Sequence, residues 1–124
     1  MSDSTAIRYR WAEIPKEALN PLLERRLITT ERMMIAQVFL GRGCVVPTHA
    51  HENEQLTYIL EGSMRLWLGA EEEEIVDLEA GDVLHIPSNL PHRAEALETT
   101  LDLDVFCPPR RDWLEGTDAY LRGR

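Results

Sequence analysis

Residues 99–107, TTLDLDVFC, carry the clearest alternation of apolar and polar side chains in the chain. Strand side chains alternate between faces with period two, so Leu101, Leu103 and Val105 share one face and Asp102, Asp104 and Phe106 the other. One face is plainly apolar. The other carries two carboxylates and an aromatic ring, which suits either water at a sheet edge or a polar cavity. Other strand-like runs surround this one. MMIAQVFL (33–40) stops at Gly41-Arg42-Gly43, and LTYILEG (56–62) and SMRLWLG (63–69) read as two strands around a glycine turn. IVDLEAGD (75–82) and VLHIP (83–87) continue the pattern, and the EEEE run at 71–74 reads as a solvated hairpin tip. Trp11 to Asn20 reads as a short helical turn that Asn20-Pro21 would end, because the residue before proline avoids helical geometry. Residues 1–6 read as frayed. Short strands with frequent turn signals predict an all-β sandwich or barrel.

At 124 residues the chain fits one domain, 1–124, long enough to bury a core. No internal repeat or low-complexity linker divides it. A formal charge of -9 argues against nucleic acid, whose phosphates need clustered Lys and Arg. An anionic small molecule would need a local positive centre against that background. No apolar run approaches the roughly 20 residues of a membrane span, and MSDSTAIRYRW lacks the apolar stretch of a signal peptide. With no export signal, Cys44 and Cys107 read as reduced thiols and the chain as cytoplasmic.

The chemistry concentrates at GCVVPTHAHENEQLTYILEG, residues 43–62. His49 and His51, at i and i+2, project to one side if on a strand, the spacing two ligands of one ion need. Gly43 precedes His49 with five residues between, and Gln55 follows His51 with three between and precedes Gly62 by six. In GDVLHIPSNLPHRAEA (81–96), Gly81 and Pro87 are separated by five residues, and His92 follows.

These two frames resemble the motifs of the cupin superfamily. Its first motif runs glycine, His-x-His, Glu, glycine at the same spacings, with Gln55 here at the Glu position. Its second keeps Gly81, Pro87 and His92, while Asn89 stands for a glycine and Ala96 for the closing Asn. The resemblance implies a double-stranded β-helix (jelly-roll) barrel with its core at about 33–107 and a C-terminal tail, 108–124, packing on it. It also implies a divalent ion, Ni, Zn, Mn or Fe, held by His49, His51, Gln55 and His92. Three imidazoles and an amide leave the ion its full charge, which favours anionic ligands and a developing oxyanion. Ligation needs neutral rings, so protons should compete as pH falls from about 6 to 4, a window set by the histidine reference value. His85 reads as a core or supporting residue or as a wall of the cavity.

A closer resemblance lies in PSNLPHRAEALETTLDLDVFCPPRRDWL, residues 87–114. It is similar to the small cupins of pectin and alginate breakdown that open 4,5-unsaturated uronate rings, the KdgF type. In that family an Asp-x-Phe pair followed four residues later by Arg completes the site, here Asp104, Phe106 and Arg110. Asp102 and Arg111 are additions to that pattern. The resemblance implies Asp104 as general base, Arg110 as carboxylate partner, Phe106 as apolar wall, a small anionic sugar-like substrate and a homodimer. For Arg110 the alternative is a surface salt bridge with Asp112 or Glu115. Two other functions remain open from the sequence: a non-catalytic carbohydrate- or small-ligand-binding cupin, and an Fe(II)-dependent oxygenase.

Overall fold

The computed structural model describes residues 4–123, so the expectation of fraying at 1–6 falls partly outside the described residues. Ten strands form two antiparallel sheets. The larger has the order β1-β2-β3-β10-β5-β8 and the smaller β4-β9-β6-β7. The strands run Glu17–Asn20 (β1), Leu23–Thr29 (β2), Met34–Leu40 (β3), Val45–His49 (β4), Glu54–Glu61 (β5), Ser63–Leu68 (β6), Glu74–Glu79 (β7), Val83–Ile86 (β8), His92–Ala96 (β9) and Thr100–Cys107 (β10). From β3 onward the chain crosses between sheets at nearly every connection, which gives the double-stranded β-helix, or jelly-roll barrel. Its core lies between the sheets, with Met34, Ala36 and Val38 from one side and Met64, Leu66 and Ala94 from the other.

Two local expectations give way. The helical turn is only Trp11–Glu13, and Glu17–Asn20 pairs with β2 as a strand. Asn20-Pro21 is a hairpin tip, where the Asn20 Oδ1 accepts the Leu22 N–H at 2.9 Å in an Asx-type turn. Burial of Leu19 and Leu23 on one face outweighs the local helical preference. The runs around Gly62 are two strands, β5 and β6, but they belong to different sheets. Gly62, at φ 92°, carries the chain across, and a Cβ there would lie 2.4 Å from the Thr99 carbonyl oxygen. Only glycine fits. The acidic run at 71–74 does close the β6–β7 hairpin.

The orientation of β10 decides the chemistry. It is a central strand between β3 and β5, not an edge. Asp102, Asp104 and Phe106 are buried inside, while Leu101, Leu103 and Val105 are half-buried on the outer face of the sheet. Residues 108–123 fold back across one mouth of the barrel. A single helical turn, α1 (Arg111–Glu115), ends at Gly116 in the left-handed conformation, and a 3-10 turn, Ala119–Leu121, follows. This strap is pinned by Arg25, whose Nη1 donates to Asp118 Oδ2 at 2.6 Å, and by the Asn20 amide, which donates to the Leu121 carbonyl at 2.8 Å.

Candidate metal centre

His49 ends β4 and His92 begins β9, and the two are register partners across the smaller sheet. His51 lies just past β4 in the loop to β5, so it reaches the centre from a turn and not from the strand the His-x-His spacing suggests. The ring centroids of His49 lie 4.2 Å from His92 and 5.5 Å from His51. One ligand atom from each of the three rings lies within 4.8 Å of the others, close enough for one metal ion.

Each ring has its tautomer set by the backbone. The Nδ1 atoms of His49, His51 and His92 donate to the carbonyls of Pro47 (2.8 Å), Asn53 (3.0 Å) and Leu90 (2.8 Å). A carbonyl only accepts, so Nδ1 carries the proton and Nε2 keeps its lone pair, the form a metal ligand needs. Burial first, and then His92, pushes the pKa of His49 down to about 3. Burial and then the Arg110 charge push His51 down to about 4. His92 is also lowered, by burial. The rings are neutral and ready to ligate well below pH 7.

Gln55 on β5 lies between Phe106 of β10 and Ile86 of β8 and lines the same cavity as His49 and His92. Its Nε2 donates to Thr57 Oγ1 at 2.8 Å, and Thr57 Oγ1 donates to Asp104 Oδ1 at 2.9 Å. The Gln55 Oε1 and the His51 Nε2 are buried without a protein partner. Buried polar atoms are rarely left unpaired, and an orphaned amide oxygen and an orphaned ring nitrogen are both lone-pair donors a cation can take. Asp102 and Asp104 hydrogen-bond to each other; burial and the Asp104 charge hold the Asp102 carboxyl well above the usual range. Burial raises Asp104 too, opposed by its bonds to Asp102 and Thr57. Burial thus holds both carboxyls above the usual range, Asp102 the more strongly.

Phe106 is fully buried, edge-on to His51 at 6.0 Å and to Trp113 at 5.0 Å. Arg110 is buried, which corrects the surface salt-bridge alternative, though Asp112 is its partner. The Asp112 carboxylate accepts from Nε at 3.0 Å and from Nη2 at 2.9 Å, and Nη2 also donates to the Tyr120 hydroxyl. Tyr120 stacks on His49 at 4.6 Å. His85 belongs neither to the core nor to the cavity: it is exposed on β8 and paired with Glu54 at 2.7 Å. Both cysteines are free thiols, Cys44 buried and Cys107 exposed. The cavity that His49, Gln55 and His92 line measures about 60 Å³.

Two residues of this site, Thr57 and Tyr120, carried no sequence signal of their own. Thr57 shares strand parity with Gln55, and that parity was readable once Gln55 was placed. Tyr120 and Asp112 come from the strap, whose path across the mouth depends on Arg25, far away in the chain.

Solved structures agree with the fold. KdgF from Halomonas sp. superposes with a TM-score of 0.80 at 29% identity, over 88% of this chain and 99% of that one. An RmlC-like cupin from Shewanella frigidimarina gives 0.76 at 23% identity over 90% and 96% of the two chains. Oxalate decarboxylase from Bacillus subtilis gives 0.77 at 23% identity, covering 92% of this chain and 34% of that one. At that identity the last two speak for the fold alone. No curated protein matches the chain. Residues 37–107 match the Cupin_2 family, the cupin domain, and with three histidines gathered in a two-sheet barrel the chain belongs to that family.

Proposed function

We propose that the protein is a metal-dependent enzyme that opens the ring of 4,5-unsaturated uronates. The observation that carries this reading is that Asp104, Phe106 and Arg110 line the same cavity as His49, Gln55 and His92. The 29% identity to KdgF over nearly all of that protein supports it. His49, His51, His92 and the Gln55 Oε1 are the ligands of one divalent ion. Bound there, the ion supplies a Lewis acid of undiminished charge with positions open to a chelating anion.

The chain's own residues do the rest. Arg110 offers charge to the uronate carboxylate, and the Asp112 fork fixes its plane. Phe106 gives the sugar an apolar wall. Asp104 accepts the proton of the anomeric hydroxyl, the ring C–O bond breaks, and its electron pair stays on the former ring oxygen as an enolate. Return of the proton to carbon completes an isomerisation to the open keto form. In this reading Asp102, the more strongly raised of the two, holds the proton of the buried pair and leaves Asp104 the charge a base needs.

The cavity of about 60 Å³ holds a few waters, whereas ligand pockets measure roughly 300–1,000 Å³. Substrate therefore enters by displacing Tyr120 and the strap. The outer face of the larger sheet supports a homodimer: Val105 pairs with Ile35 and Leu56, and Leu103 with Tyr58, leaving a contiguous apolar surface. The test is loss of the unsaturated sugar's ultraviolet absorbance against the spontaneous rate, with galacturonate- and mannuronate-derived substrates. Acceleration by metal-loaded protein is expected; a rate equal to the spontaneous one overturns the proposal.

A further inference from the structure

An amide side chain has two arms of nearly the same shape and opposite chemistry. Only its oxygen can meet a cation, so something must set which arm of Gln55 faces the histidines. The side chain two residues along, Thr57, is 3% exposed and lies between Gln55 and Asp104. A hydroxyl has one proton to give. Asp104 Oδ1 takes it at 2.9 Å, so the Thr57 oxygen presents a lone pair to Gln55, and only the NH2 arm can occupy that place, at 2.8 Å. The Oε1 is thereby turned the other way, where it is buried and without a protein partner.

We infer that Thr57 is the positioning residue of the centre: its hydroxyl, held by Asp104, sets the Gln55 amide so that oxygen and not NH2 faces the ion. The inference rests on Gln55 being the fourth ligand. Loss of the Thr57 hydroxyl frees the amide to turn, and the flipped form aims two N–H dipoles at a cation. The chain of bonds also accounts for an amide at this position. A glutamate at 55 would face Asp104 across one hydroxyl, and two carboxylates cannot both be satisfied by one proton.

The test uses Co²⁺ added to metal-stripped full-length protein, reading both affinity and the visible d–d spectrum, which reports the ligand set without any substrate. Gln55→Leu removes the oxygen ligand and is expected to weaken binding and alter the spectrum. Thr57→Val, nearly isosteric, is expected to weaken binding by about 10- to 100-fold, the usual range for residues that orient ligands, with the same spectral change. Thr57→Ser restores the hydroxyl and is expected to keep the parent affinity and spectrum. In a Gln55→Glu background, whose two oxygens are equivalent, Thr57→Val is expected to cost clearly less. Thr57→Ala reads the same comparison should the valine variant not fold. If Gln55→Leu weakens binding while Thr57→Val and Thr57→Ala match the parent, the positioning role is wrong. An equal cost in the Gln and Glu backgrounds also overturns it, as a merely structural role would give. If Gln55→Leu binds as the parent does, the ligand assignment itself fails first.

Discussion

The three histidines carry the pH behaviour of the site. Their unfolded pKa is about 6.5, while in the fold His49 and His51 are down at about 3 and 4. Between those values the unfolded chain binds more protons than the folded one, so stability rises with pH across the window. Metal-free protein is therefore expected to lose thermal stability steadily from about pH 6.5 toward 4. Asp102 and Asp104 work with opposite sign, because their raised pKa values favour the fold at low pH. The measurement is a melting series in Asp102→Asn, which removes the larger of the two carboxyl contributions and keeps a donor toward Asp104. A melting temperature flat from pH 7 to 4.5 would show that the rings are not buried neutral. Metal binding should resist acid further than free histidine implies, since protons enter these folded sites only near pH 4 and below. That moves the competition to the acid end of the range the reference value suggests. At the same scale, Arg110→Ala is expected to raise KM more than it lowers kcat, because the proposed reaction gives Arg110 the substrate carboxylate and not the proton transfer.

At the scale of elements, the strap and β10 make the site. The strap closes the mouth through Asp118, which is fully buried between Arg25 and Arg122. Asp118→Ala leaves the Arg25 charge buried and short of its partner, which is typically far costlier than losing a surface pair. Hydrogen exchange across residues 111–122 is expected to speed up markedly in that variant while exchange in β3, β5 and β10 keeps its protection. Uniform change across the whole barrel would mean that the strap is not a separate opening unit. β10 shows what was legible beforehand. Its alternation separated Asp102, Asp104 and Phe106 from the leucine face correctly, because parity is local. Which face points inward was not local: it depended on β3 and β5 flanking it and on the histidines arriving from the other sheet. The same limit applied at Gly62, where the turn was legible but the change of sheet was not. At Glu17–Asn20 pairing with β2 overrode a helical reading. The gathering of His49, His51 and His92 was readable because motif spacing survives in the sequence, whereas the Thr57 and Tyr120 contacts exist only after strands and strap have come together.

For the whole molecule, the net charge sets what the cavity has to overcome. With a formal charge of -9, the protein repels anions at long range, so the proposed substrate needs the local positive charge that Arg110 and a divalent ion would supply in the cavity. Among the described residues no helix is long and apolar enough to cross a membrane. The apolar outer face of the larger sheet includes Leu56, 44% exposed, and Val83, 57% exposed. Leu103→Glu at the middle of that face is expected to convert a dimer to a monomer in sedimentation analysis, with metal content unchanged. A parent that sediments as a monomer contradicts the dimer.

The central claim is that the buried carboxylate beside the metal performs the proton transfer. Asp104→Asn keeps an oxygen to accept from Thr57, so the Gln55 amide and the metal should stay in place, but it removes the base. The decisive measurement is ring opening of a 4,5-unsaturated uronate by parent and Asp104→Asn, with metal content determined on the same samples. The account predicts equal metal and a rate lower by about 10²- to 10⁴-fold in the variant. Equal metal and an equal rate above the spontaneous one would contradict it.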